Sequence, residues 1–266
     1  MQERPNMLRI EPLQLAKHLR ELGVETGDHL FVHSEITSLG WPVGGVGMYR
    51  DVLLDLLGPQ GTLAVPTFTF GFCRGALYDA DETPSVGMGV LAELIRKTPG
   101  ARRSRHPIQS MAVIGHYAEL LAAIDTPSAY ATGSAFGSLA HLGFKLLLLG
   151  ANPRSVSLVH HCEEVAGVPY RYWKAFTGLV RFESQPRQAA YQMYVRDLAM
   201  DPDVNETHIA DQLRARARWQ EISVNYGTLS LCAAADYVQQ GLMMLQADAF
   251  SLLDNPEHVR LALSTR

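Results

Sequence analysis

Two imidazole–carboxylate pairs lie in one short run, Ser157-Leu-Val-His160-His161-Cys162-Glu163-Glu164. Residues three apart are neighbours on a helix, so His160 would face Glu163 and His161 would face Glu164. A carboxylate beside an imidazole holds its tautomer and favours its charged form, which a general base needs when it takes up a proton. Either pair could serve as base and helper, and the same spacing equally suits ordinary ion pairs on a helix surface. No third His or Cys follows at a customary ligand spacing, so no metal centre is expected.

A second cluster follows a short apolar strand: His33-Ser34, then Ser38-Leu-Gly40, then Gly44-Gly45-Val46 running into a helical pattern. Strand, glycine-bearing loop and helix N-terminus together offer backbone N–H groups to phosphate, although the spacing is neither a P-loop nor GxGxxG and also suits a plain flexible loop. Arg102-Arg103-Ser104-Arg105-His106, with Ser110 beyond, is a compact cationic patch that could grip phosphate or carboxylate bidentately, or simply be solvated. Asp79, Asp81 and Glu82 form an acidic stretch that reads as a polar loop and would also attract a cation. The three cysteines, Cys73, Cys162 and Cys232, are too widely spaced for a disulfide framework or a structural zinc site. A thiolate beside histidine is activated, so Cys162 or Cys73 could serve as a covalent nucleophile; a small buried side chain is the plainer reading.

The elements that must position these residues follow from periodicity. Helical spacing is expected over 13–22, 48–57, 87–97 and 118–123, and apolar strands over 29–33, 62–65, 111–114 and 145–149. Short apolar strands alternating with amphipathic helices predict an α/β fold with a central, mostly buried sheet flanked by helices on both faces. A small antiparallel excursion is expected near 178–197, as two strands over 178–183 and 190–196 joined by a Ser-Gln-Pro turn. Helices return over 208–219, 231–246 and 256–263. No repeat or linker interrupts the chain, so residues 1–266 read as a single domain.

Lys and Arg total 23 against 27 Asp and Glu, a net charge of −4 with no basic stripe, which argues against nucleic acid as principal partner. The N-terminal segment carries charges and a proline where a signal peptide needs an apolar core, so a cytoplasmic protein is expected. The longest apolar run, around 146–149, is far too short to span a bilayer, and no membrane association is expected. A C₂ homodimer is the commonest assembly and the default expectation.

Taken in order, these segments resemble the aminoglycoside 3-N-acetyltransferase family, whose fold is distinct from that of the common GNAT acetyltransferases. The carriers are Val32-His33-Ser34 with Ser38-Leu-Gly-Trp-Pro-Val-Gly-Gly45; Leu56-Leu-Gly-Pro-Gln-Gly-Thr-Leu63 with Val65-Pro-Thr67; Thr83-Pro-Ser85 with Met88-Gly89; Arg103-Ser104 with His106-Pro107 and Ser110; and Ser157-Leu-Val-His160 with Glu163. The resemblance covers nearly the whole chain. It implies acetyl-CoA or another acyl-CoA as co-substrate, a primary amine on a sugar-like ring as acceptor, and direct transfer with His160 as general base and Glu163 as its partner. It implies that His33, Ser34, Ser38, Gly44, Gly45 and Val46 carry the pantetheine and pyrophosphate, with Arg105 and Ser110 bordering the same groove. Thr67, Asp79, His161 and Glu164 are the residues expected to meet the acceptor.

Two features depart from the family pattern. Gly137-Ser138-Leu139 stands where Ser-Pro-Leu is usual, and the stretch after Pro66-Thr67 lacks the long Trp- and acid-rich insertion that often shapes a site for polycationic antibiotics. His160-His161-Cys-Glu-Glu164, Val168-Pro-Tyr-Arg-Tyr172 and Phe176-Thr-Gly178 look like relatives that acylate nucleotide-linked amino sugars. A nucleotide-linked 3-amino sugar is therefore the expected acceptor; an aminoglycoside antibiotic, another small amine, or a non-catalytic sugar- or nucleotide-binding role are the alternatives.

Overall fold

Alternation along the strand His29–Ser34 sets the architecture. Leu30 and Val32 enter one apolar core and Phe31 the opposite one, as period-two side chains on a doubly covered strand must. The computed structural model describes residues 8–182 and 185–265. A seven-stranded sheet runs in the order Gln220–Val224, Gly227–Ala233, Lys145–Leu149, His29–Ser34, Thr62–Pro66, Met111–Gly115, Arg102–Arg103. The three central strands are parallel, and the strands on either side of them pair antiparallel. One face is covered by helices Pro12–Leu22, Gly47–Leu57 and Gly89–Arg96; the other by Ala118–Ala123, Val159–Ala166, Thr207–Ala215 and Ala234–Ala247. This is the helix-flanked α/β architecture expected from periodicity.

The antiparallel excursion is longer than expected, pairing Arg171–Arg181 with Arg187–Arg196, and Tyr78–Asp79 adds a third strand parallel to the first. The expected turn at Ser184-Gln185-Pro186 lies partly outside the described residues. A small core of Phe72, Tyr78, Ile108, Val180 and Tyr191 anchors this ribbon to the body.

Two segments differ from the periodicity. Gln220–Val224 and Gly227–Ala233 form a hairpin at the sheet edge, turning at Asn225 with a φ of 54°. Helical spacing over 231–246 assigns Leu231, Cys232 and Ala233 to a helix, but they continue the hairpin, and the helix begins only at Ala234. The helix expected over 208–219 stops at Ala215, where Ala217 turns left-handed with a φ of 54°.

The parallel strands His29–Ser34 and Lys145–Leu149 end side by side, the usual place for a site in such sheets. Their ends are locked by Gly150, whose φ is 74° and where a Cβ would lie 2.4 Å from the Glu35 carbonyl oxygen. Among the described residues, no helix is long and apolar enough to cross a membrane.

Candidate active site

The helix Val159–Ala166 starts just beyond these strand ends and carries both imidazole–carboxylate pairs, which it sends to different places. His161 is buried and its Nδ1–H donates to the Tyr130 carbonyl at 2.7 Å; burial lowers its pKa. Glu164 accepts from the Ser128 hydroxyl at 2.6 Å, and burial raises its pKa.

His160 and Glu163 do pair, at 3.0 Å between Nδ1 and Oε2. Glu163 is fully buried, and the same oxygen accepts from Arg171 Nη2 at 2.7 Å. Burial alone would push the Glu163 carboxyl up, but the Arg171 guanidinium and His160 outweigh it and hold the pKa below the ordinary carboxylate range. An ionised carboxylate accepts the Nδ1–H and leaves Nε2 as the basic atom. The 3.3 Å separation of Arg171 Nη2 from His160 Nδ1 is then two donors meeting around one acceptor oxygen rather than a bond of their own. Burial lowers the pKa of His160, with Glu163 opposing and Arg171 reinforcing, so the ring is neutral at pH 7 and able to take a proton. Its side chain is 30% exposed. That exposed part lines a cleft of about 260 Å³.

The hairpin Arg171–Arg181/Arg187–Arg196 lines this cleft through Met193, Tyr194 and Arg196, and Phe68 and Tyr130 line it too. Arg171 opens the hairpin, and its Nη1 also donates to the Tyr194 carbonyl at 3.0 Å. Tyr130 packs edge-on to the His160 ring at 5.3 Å, and its buried hydroxyl lies near the Ser157 side chain without a well-formed hydrogen bond among the described residues. Burial pushes its phenol pKa up, so it stays an O–H.

His33 lies near the end of the strand His29–Ser34. Its Nε2 accepts from the Ser157 backbone N–H at 3.1 Å, with Ser157 Oγ at 3.0 Å, tying the strand end to the start of the His160 helix. Burial lowers its pKa to about 3, and its Nδ1 has no partner among the described residues. Ser34 abuts the start of the helix Gly89–Arg96, with its carbonyl oxygen 3.5 Å from where a Cβ on Gly89 would sit. The Ser38 hydroxyl donates to the Glu35 carbonyl at 3.0 Å. Gly44 and Gly45, both left-handed, face open space ahead of Val46 and the helix Gly47–Leu57.

The cationic patch divides. Arg103 is buried, donating to the Thr67 carbonyl at 2.6 Å, to Ser110 Oγ at 2.9 Å and to the Thr83 carbonyl. Thr67 and Ser110 are wholly buried in this network, so a part for either in binding is one of positioning. Arg105 lies over the Phe182 ring at 5.2 Å, along a second groove with Arg102 and Asp81. Asp79 is not brought to the cleft: it pairs with Arg181 at 2.5 Å and accepts the Asp81 and Glu82 amides. Cys162 is buried, with burial raising its pKa and the neighbouring Glu163 raising it further; burial raises that of Cys73 too. Among the described residues, no group of three or more His, Cys, Asp or Glu could hold a metal ion.

Sequence reasoning finds His160 and Glu163 but not Arg171 or Tyr130. Arg171 sits eight positions after Glu163, beyond helical reach, and only the hairpin's start brings it there; nothing local marks Tyr130.

Residues 31–246 match the family model described as Aminoglycoside 3-N-acetyltransferase, which is most of the chain. The chain belongs to the aminoglycoside 3-N-acetyltransferase family. It is 31% identical over 186 residues to an aminoglycoside N(3)-acetyltransferase III of Salmonella sp, covering 61% of this chain and 63% of that enzyme. It is 32% identical over 179 residues to aminoglycoside N(3)-acetyltransferase VII of Streptomyces paromomycinus, covering 59% and 61%. These matches thus span less than two thirds of the curated acetyltransferases' own length. Among solved structures, AAC-IIIb in binary complex with CoASH superposes with a TM-score of 0.81 at 23% identity, covering 90% of this chain and 97% of that one. AAC-VIa bound to sisomicin superposes at 0.80 with 26% identity, covering 90% and 98%. The aminoglycoside 3-N-acetyltransferase fold therefore extends well past the segment that the curated sequences align.

Proposed function

We propose that this chain is an acyl-CoA-dependent N-acetyltransferase acting on the 3-amino group of an amino sugar. The observation that carries the reading is the ionised Glu163, held by Arg171, fixing a neutral His160 at the cleft of a chain in this family. The acceptor amine attacks the thioester carbonyl as the neutral nucleophile and gives one N–H proton to His160 Nε2 as the C–N bond forms; the tetrahedral intermediate then collapses with cleavage of the C–S bond. His160⁺ then returns a proton to the departing CoA thiolate, and Glu163 stabilises the imidazolium in between. General-base help of this kind is worth roughly 10²–10⁴-fold.

The developing oxyanion needs a donor, and the buried Tyr130 hydroxyl beside the His160 ring is the candidate. For the co-substrate, the open Gly44-Gly45 loop and the N-terminus of the helix Gly47–Leu57 suit the CoA phosphates, with His33, Ser34, Ser38 and Val46 shaping the approach. That AAC-IIIb is known with CoASH supports acyl-CoA as the co-substrate. The buried, protonated Cys162 disfavours the acyl-enzyme route. The names of the curated relatives point to an aminoglycoside acceptor and the short stretch after Thr67 to a nucleotide-linked amino sugar, and both are amino sugars within this reading. Thiol release from acetyl-CoA, measured with gentamicin, sisomicin and simple amino sugars, tests the reading; no amine-dependent release from any of them overturns it.

A further inference from the structure

The charged groups that line the cleft are few. Three of its lining residues are formally charged besides the base: Glu164, Arg171 and Arg196. Arg171 is neutralised by Glu163, which is fully buried and presents no surface to a ligand. That leaves one carboxylate, Glu164, and one guanidinium, Arg196, to meet whatever enters. Arg196 ends the hairpin strand Arg187–Arg196 opposite Arg171, is exposed, and its side chain makes no hydrogen bond or ion pair among the described residues. Glu206 lies within electrostatic reach of it, but no bond joins them, and burial raises the Glu206 carboxyl to about 7. Asp197, next in the chain, accepts the Ala199 amide at 3.0 Å.

We infer that Arg196 is an anion-binding subsite of the acceptor cleft, and that the preferred acceptor is a primary amine carrying a phosphate or carboxylate group. The inference rests on the acyltransfer reading and narrows its acceptor. An ammonium group finds Glu164 on the same helix as His160, while an anionic substituent finds the Arg196 guanidinium at the end of the hairpin strand, whose planar fork suits a phosphate or carboxylate bidentately. A polyamine, by contrast, meets a single carboxylate, already shared with Ser128.

The test compares matched pairs on the CoA-loaded protein by titration calorimetry: glucosamine with glucosamine 6-phosphate, and ethanolamine with phosphoethanolamine. The phosphorylated member of each pair binds roughly tenfold or more tightly, the scale of a charge-assisted hydrogen bond. Arg196→Ala brings that preference to within about twofold, and Arg196→Lys retains part of it. In steady-state assays the same preference appears in KM for the amine, with KM for acetyl-CoA unchanged. The inference falls if the wild type shows no preference, if Arg196→Ala keeps it, or if that variant raises KM for acetyl-CoA with both amines of a pair, which would assign the guanidinium to a CoA phosphate. Preferential binding without thiol release from any amine would leave the anion subsite standing and remove the acyltransfer reading instead.

Discussion

Glu163→Gln removes one negative charge while keeping the side chain's size, and two distinct losses result. Wild-type Glu163 Oε2 accepts from both His160 and Arg171, and neither Glu163 nor Arg171 is appreciably exposed. Glutamine strands the Arg171 cation in a buried site, and breaking a buried pair in this way costs about 3–5 kcal/mol. In a chain of 266 residues, each kcal/mol moves Tm by roughly 2–4 °C, so the variant melts on the order of 10 °C lower. The imidazole also loses the carboxylate that fixes its tautomer and stabilises its charged form, so kcat falls by roughly 10²–10⁴. Thermal melts and steady-state kinetics on Glu163→Gln, Arg171→Gln and the double variant separate the two effects. The double variant regains stability relative to the sum of the single losses, because no charge is left stranded, but does not regain kcat. A Glu163→Gln protein with wild-type Tm and wild-type kcat would refute the coupling of the His160 base to its carboxylate.

Three further outcomes concern other residues. Tyr130→Phe lowers kcat by roughly 10²-fold with little change in Tm, since the hydroxyl it deletes has at most a weak contact with Ser157; wild-type kcat would remove Tyr130 from the reaction. His33 holds a pKa of about 3 against 6.5 unfolded, so the unfolded chain binds a proton that the folded chain refuses. Its contribution is fully present above pH 6.5 and is lost at about 1.4 kcal/mol per unit as pH falls towards 3, so urea denaturation from pH 7 to 5 has a shallower slope in His33→Gln; parallel slopes contradict this. Cys73→Ser and Cys162→Ser each keep amine-dependent turnover and show no acyl adduct by mass spectrometry, though Cys162→Ser is less stable because its site is apolar and buried; an adduct on wild-type cysteine would restore the acyl-enzyme route.

Features that depend on local spacing were legible in the sequence. Residues three apart on a helix placed His160 against Glu163, and short apolar runs marked the four strands that form the middle of the sheet. The edge hairpin was hidden because Leu231-Cys-Ala233 runs without a turn signal into the helix Ala234–Ala247, so strand and helix merge into one apolar run. Arg103 illustrates the other gap. A cationic patch looks the same in sequence whether it grips a ligand or, as here, ties Thr67, Thr83 and Ser110 together inside the protein. Arg171 and Arg196 reach the cleft from opposite ends of the ribbon's sequence, a placement made by strand pairing rather than by distance along the chain.

That a neutral His160 accepts the amine proton during transfer from an acyl-CoA is tested most directly by His160→Ala. Amine-dependent thiol release from acetyl-CoA should fall by at least roughly 10²-fold while calorimetry still detects CoA binding at near wild-type affinity and the protein remains folded. Near-normal turnover in that variant would contradict the assignment of His160 as the base.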